Sequence, residues 1–265
     1  MCFVIFIFQA ALVLMLMAAF FKYEFPTVIY EFTLESFQRF FSNWLYVDTL
    51  LRTLRIAGII TIFALLMGYP VAHSLARTRS RYERTVLVTG VLISLFIGLL
   101  ERIYAWMVLL RDGGIINNLL DFLGFHRLEL MYNDVGIIIA STHYLLPYSI
   151  LILTASIQSI SPSLEEAADG LGASRVRTFI DVTLPLSLPG ILSCALLTFS
   201  MGTSAFVVPM LMGGGKVWML SNMIYDRVIF TLNLPLGSAM SLILMSFSVV
   251  LVFFVNKLLS KRIRV

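Results

Sequence analysis

Long apolar blocks separated by short polar connections dominate this chain, at about 3–21, 54–75, 86–110, 135–157, 188–210 and 236–256. Each comes close to or exceeds the roughly 20 residues that carry a helix across about 30 Å of hydrocarbon. Only helices or closed barrels satisfy their backbone polar groups there, and blocks of this length are helical. The pattern therefore predicts an all-α, polytopic membrane protein with about six transmembrane helices. The first block is interrupted only by Gln9 and lacks a basic leader, and Ala18-Ala19-Phe20-Phe21 makes a poor cleavage site, so 3–21 reads as a retained anchor helix. In the third block Glu101 and Arg102 interrupt the run, and the helix is expected to leave the membrane or break there.

Composition agrees: 59% of the 265 residues are hydrophobic and 13% charged, against about a quarter charged in a soluble domain. The basic residues cluster beside the blocks. Arg77, Arg79, Arg81 and Arg84 stand with one acid, Glu83, between the second and third, and Lys257, Lys261, Arg262 and Arg264 follow the sixth. Short basic connections stay in the cytoplasm. Both termini and the connection holding Arg175 and Arg177 then lie inside, and 22–53, 111–134 and 211–235 face outward. The net charge of +4 is accounted for by these topology signals, with no call for nucleic acid. Cys2 and Cys194 have no evident partner and read as small hydrophobes.

Gly213-Gly214-Gly215-Lys216 fails the phosphate-loop template, because Met210 stands where its first glycine belongs and Val217 where its Ser or Thr does; it reads as a turn. No catalytic or metal-binding residue is assigned. With no linker or repeat, the chain reads as one membrane domain over 1–265: the anchor 3–21, core spans over about 54–256, and a hydrophilic segment at 161–185 between blocks four and five.

That segment starts a short helix. Ser161 can cap it with Pro162 in its first turn, or Ser163 and Glu166 can form a capping box. Glu165, Glu166 and Asp169 suit the positive end of a helix dipole. Gly170 and Gly172 weaken the helix after about two turns, a second stretch runs through Phe179, and Pro185 and Pro189 mark the start of the fifth span. An amphipathic, glycine-hinged pair on the cytoplasmic side can dock a partner or lie along the interface.

Glu166-Ala167-Ala168, three residues, Gly172, nine residues, then Val182-Thr183-Leu184-Pro185 resembles the cytoplasmic signature of binding-protein-dependent ABC importer permeases. The one departure is Val182, where isoleucine is usual. The resemblance implies that this loop is the coupling helix inserting into a groove on an ATP-binding subunit, with Glu165, Glu166, Ala167, Ala168, Gly172, Val182, Leu184 and Pro185 as coupling residues. It implies two ATP-binding subunits that hold ATP and Mg, so no cofactor on this chain, a second and non-identical permease, and a periplasmic or extracellular solute-binding protein. The location implied is the bacterial inner membrane, in contact with lipid. Phe32–Phe37, Gly68–Ala72, Arg102–Trp106, Leu211–Lys216 and Leu234–Ala239 are similar to spermidine/putrescine-type permeases.

A polycation's path should offer carboxylates and aromatic faces. Glu101, Tyr104, Trp106, Phe206, Tyr225 and Asp226 are the candidates at the outer half. Met210 stands where the resemblance leads us to expect an acid, which keeps an amino-acid derivative or organic anion open as the solute. A secondary transporter, which would be expected to show inverted repeats and midplane charges, and a membrane scaffold are the competing classes.

Overall fold

The computed structural model describes residues 9, 10, 13–24 and 27–263, with side chains up to Phe253 and at Lys257. The expected anchor at 3–21 lies partly outside the described residues. Its described part is helical at 13–17, tightens to a 3-10 turn at Ala18–Phe20, and gives way to strand at Phe21. The all-α expectation is corrected here: β1 (Phe21–Glu24) and β2 (Thr27–Phe32) form an antiparallel ribbon. Tyr23 pins it by donating to the Thr231 carbonyl at 3.0 Å.

Helices α1 (Glu35–Ser42) and α2 (Trp44–Arg77) follow, then α3 (Arg81–Phe96), α4 (Leu99–Leu110), α5 (Ile115–Phe122) and α6 (Asp134–Gln158). The chain continues through α7 (Pro162–Gly170), α8 (Arg175–Thr178), a π-helical turn at Phe179–Thr183, and α9 (Leu184–Thr203). Short α10 (Val207–Met212) and α11 (Leu220–Tyr225), a second π turn at Asp226–Phe230, and α12 (Leu234–Ile263) complete it. Side-chain caps set several starts: Asn43 accepts from Leu45 N at 3.0 Å, Asn133 from Gly136 N at 3.0 Å, and Asn233 from Leu236 N at 3.1 Å.

Among the described residues four stretches are long and apolar enough to cross a membrane: Trp44–Arg77, Asp134–Gln158, Arg175–Thr203 and Leu234–Phe253. The block at 86–110 breaks, as its charged interruption predicts, but at Ile97–Gly98 rather than at Glu101–Arg102: α3 and the stretch Leu99–Phe122 that α4 opens are bent by 97°. Arg102 holds the bend. It is 4% exposed and donates to the carbonyls of Ser94 and Ile97, freed where α3 ends, and to Tyr144 O at 3.2 Å. A buried guanidinium is tolerated at membrane depth when carbonyls receive it. The predicted span at 188–210 also shifts, beginning before Pro185 and ending at Thr203.

Helices α2, α6 and α9 pack as the central trio. Several threonines on them are satisfied locally: Thr53, Thr61, Thr154 and Thr198 each return a hydroxyl bond to the carbonyl four residues back. Gly190 lies so close to Ser156 that a Cβ would run into that side chain, and small residues at such crossings let helix backbones approach.

Candidate functional site

Helix α7 leaves the end of α6 with Ser161 at its N-cap and Pro162 in its first turn. Ser161 makes no side-chain capping bond, and the alternative box of Ser163 and Glu166 does not form. Ser161 and Ser163 pair their hydroxyls at 2.8 Å, and Glu166 turns outward to Arg79 at 3.3 Å.

The two adjacent glutamates have opposite environments. Glu166 and Arg79 are 65% and 92% exposed, so that pair contributes little by itself. Glu165 and Arg77 are 19% and 16% exposed, with Arg77 Nη2 2.9 Å and Nε 3.1 Å from Glu165 Oε1. Thr183 donates its hydroxyl to the same oxygen at 2.8 Å, and Arg77 Nη2 also reaches the Ile160 carbonyl at 3.1 Å. Asp169, one turn after Glu165, is exposed overall but turns its carboxylate to accept from the Thr178 hydroxyl at 3.0 Å. Glu166, Ala167 and Gly170 face outward with Leu171, which is 90% exposed.

Gly172 closes the helix. Its φ is +85°, its N–H bonds to Asp169 O at 3.0 Å, and Ala173 N bonds to Ala168 O at 3.1 Å. This is the Schellman arrangement with glycine at the left-handed position. Within the chain a Cβ at Gly172 would meet nothing within 4 Å, so the backbone conformation, rather than tight packing, demands glycine here.

The segment then runs into α9 without a break. Leu184 N–H bonds to Phe179 O, one residue farther back than in an α-helix. Pro185 explains the widened turn, since it has no N–H and its ring crowds the carbonyl four residues earlier. Val182 and Leu184 are half-buried and Pro185 exposed. Phe179 sits edge-on to Tyr69 and His73 of α2, at 5.7 and 5.6 Å between ring centres.

The path candidates fall into two groups. Phe206, Tyr225 and Asp226 line one cavity of about 110 Å³ with Met210, Trp218, Asn222 and Phe230. Phe206 and Tyr225 lie 4.7 Å apart, and Tyr225 and Phe230 5.8 Å. Phe206 stands in the break after α9, where Ser221 donates to Ala205 O at 2.5 Å and Asn222 donates to Phe206 O at 3.0 Å. Trp218, Asn222 and Phe230 are missed by the sequence reading because only the fold of α11 and the π turn brings them beside Tyr225 and Asp226 of the same segment. The Asp226 carboxylate has Arg227 at 3.8 Å.

The other three do not join that cavity. The Glu101 carboxylate folds over Gly98 at the start of α4, where an acid complements the helix dipole. Tyr104, 57% exposed, shares an open stripe of α4 with Leu100, Glu101, Ala105 and Val108. Trp106 packs into the interior, edge-on to His143 at 5.5 Å.

Residues 64–265 match the family described as binding-protein-dependent transport system inner membrane component. The chain is 33% identical over 246 residues to the spermidine/putrescine transport system permease protein PotB of Haemophilus influenzae, covering 91% of this chain and 84% of that protein. It is 32% identical over 237 residues to PotB of Escherichia coli, covering 88% and 86%. A bacterial ABC transporter involved in import of the acidic polysaccharide alginate superposes with a TM-score of 0.79 at 20% identity, over 98% of this chain and 91% of that one. For the MetNI methionine ABC transporter the TM-score is 0.58 at 20% identity, over 83% and 95%.

Proposed function

The chain belongs to the family of binding-protein-dependent transport system inner membrane components, and from that premise we propose that it forms half of the translocation path of an ATP-driven polyamine importer. It is a transport subunit, not an enzyme, and ATP and Mg are handled by two partner ATPases. Residues 1–265 act as one permease domain of six spans in the bacterial inner membrane with both termini cytoplasmic. A second, non-identical permease completes the path, and a periplasmic binding protein delivers the solute.

The observation that carries this reading is the outward face of α7. Glu166, Ala167 and Leu171 are presented to solvent on a helix fixed from behind by Glu165 and Asp169 and stopped by Gly172. Such a surface suits an ATPase groove, and Val182, Leu184 and Pro185 lead from it into the pore helix α9. Phe206, Tyr225 and Asp226 supply an aromatic and acidic stretch of the path, while Glu101 and Tyr104 on the open stripe of α4 face the second permease. Trp106 supports that stripe from within.

Reconstitution with its two ATPases, second permease and binding protein tests this reading. Uptake of spermidine or putrescine should require ATP and be lost in Glu166→Lys without loss of the subunit from the membrane. ATP-independent uptake driven by an ion gradient would refute it. The pairing of Asp226 with Arg227, and Met210 in place of an acid, favour as a second reading an importer for an amino-acid derivative or organic anion. Uptake assays with those solutes decide between the two.

A further inference from the structure

The sequence motif puts Glu165 and Glu166 side by side, but only one of them is available to a docking partner. Glu165 is turned into the protein, where its Oε1 receives Arg77 through two nitrogens and Thr183 through its hydroxyl. Arg77 is the last residue of α2, Ile160 follows the end of α6, and Thr183 is the last residue of the π turn leading into α9. One half-buried ion pair therefore ties α7 to the ends of all three helices of the central trio.

We propose that Arg77 and Glu165 are positioning residues that transmit displacement of α7 into α2, α6 and α9, acting behind the docking surface rather than as part of it. This rests on the importer reading above and adds the route by which motion at α7 reaches the path. Three features make the linkage stiff. Charge-assisted bonds are shorter and stronger than neutral ones, and this pair is largely withdrawn from water. Asp169–Thr178 holds α7 at a second point one turn on, so the helix cannot swivel about Glu165. Phe179, held against Tyr69 and His73, resists shear between the π turn and α2. The neighbouring Arg79–Glu166 pair has none of this support and serves as an internal control.

The test compares Glu165→Gln, Arg77→Gln, the swap Arg77→Glu with Glu165→Arg, and Arg79→Gln in the assembled importer in proteoliposomes. Solute imported per ATP hydrolysed is measured with putrescine, alongside ATP turnover and co-purification of the ATPases. Glu165→Gln keeps the size of the side chain, so assembly is retained while import per ATP falls about tenfold, equivalent to about 1.4 kcal/mol. The swap should recover at least a third of wild-type coupling, short of complete because Ile160 loses its donor. Arg79→Gln should match wild type.

Wild-type coupling in Glu165→Gln, or a swap no better than the single variants, overturns the proposal, because the linkage needs opposite charges facing each other whichever residue carries them, and retained assembly with reduced import per ATP is what a merely structural pair does not produce. Loss of ATPase co-purification in Glu165→Gln overturns it too, since Glu165 would then belong to the docking surface. A wild-type complex that hydrolyses ATP in response to its binding protein yet carries no putrescine refutes the polyamine reading alone. The linkage is then judged by whether that stimulation falls tenfold in Glu165→Gln and returns in the swap.

Discussion

Replacing Gly172 separates two reasons for a glycine between α7 and α8. The residue has φ +85°, and its carbon faces open space within the chain. A residue with a Cβ in the left-handed region costs roughly 1–2 kcal/mol. With no neighbour within 4 Å, no steric contribution adds to this in the free subunit. At about 1.4 kcal/mol per tenfold, Gly172→Ala should populate the closed Schellman turn about 5- to 30-fold less than wild type. Asparagine is several-fold enriched in this region, so Gly172→Asn should recover much of the difference despite being larger. Amide exchange across 168–174 reads the closure directly, because the Gly172 and Ala173 N–H groups make its two bonds. ATP turnover of the assembled importer reads its consequence. Faster exchange and lower turnover in the order Gly, Asn, Ala are expected. If Asn equals or exceeds Ala in damage to turnover while its exchange stays slow, size is what matters, and Gly172 is needed for close approach to a partner.

Three further outcomes follow from packing and topology. Gly190→Ala should destabilise the subunit by forcing α9 away from Ser156, and adding Ser156→Gly should restore the melting temperature; no recovery would mean that the crossing is not the cause. Trp106→Ala should cost about 3–5 kcal/mol of stability through cavity formation, with Trp106→Phe milder, whereas loss of uptake at an unchanged melting temperature would place Trp106 on the path. In a background lacking Cys2 and Cys194, cysteines at exposed Ser80 and Ser174 should resist an impermeant thiol reagent in intact cells while those at exposed Asn118 and Gly215 label, and the reverse pattern would invert the topology.

Much of the membrane architecture was legible because apolar length is a strong, one-dimensional signal. Block four, expected at 135–157, is the helix Asp134–Gln158. What escaped depends on contacts between distant residues. A break in the third block is signalled by Glu101 and Arg102, but its place at Ile97–Gly98, in an apolar run with no proline, is not, because Arg102 fixes it by bonding back to the Ser94 and Ile97 carbonyls. The β ribbon is short, apolar in part, and next to a longer apolar block, so its period of two is swamped. The difference between Glu165 and Glu166 is invisible to a motif, since it depends on which face of α7 meets Arg77, 88 residues earlier.

The charge balance of the aromatic cavity bears on how a cation could pass. Asp226 lies 3.8 Å from Arg227, and each side chain is about a third exposed, 31% and 29%. A carboxylate beside a guanidinium contributes little net attraction for a second cation, so this chain alone supplies aromatic faces more than charge. Cation–π contacts are worth roughly 0.5–1 kcal/mol when exposed and about 2 or more when desolvated, which can hold an ammonium group briefly without trapping it. The missing carboxylates must then come from elsewhere if a polycation is carried. On the proposed reading the second permease faces the open stripe of α4, where Glu101 and Tyr104 already stand. Asp226→Asn should therefore reduce polyamine uptake less than loss of an acid on that partner, and in Arg227→Gln the freed Asp226 should make uptake of a cation rise rather than fall. A fall for a cation together with a rise for an uncharged solute would show that Arg227 serves the path itself, which is the behaviour expected of an importer for anions.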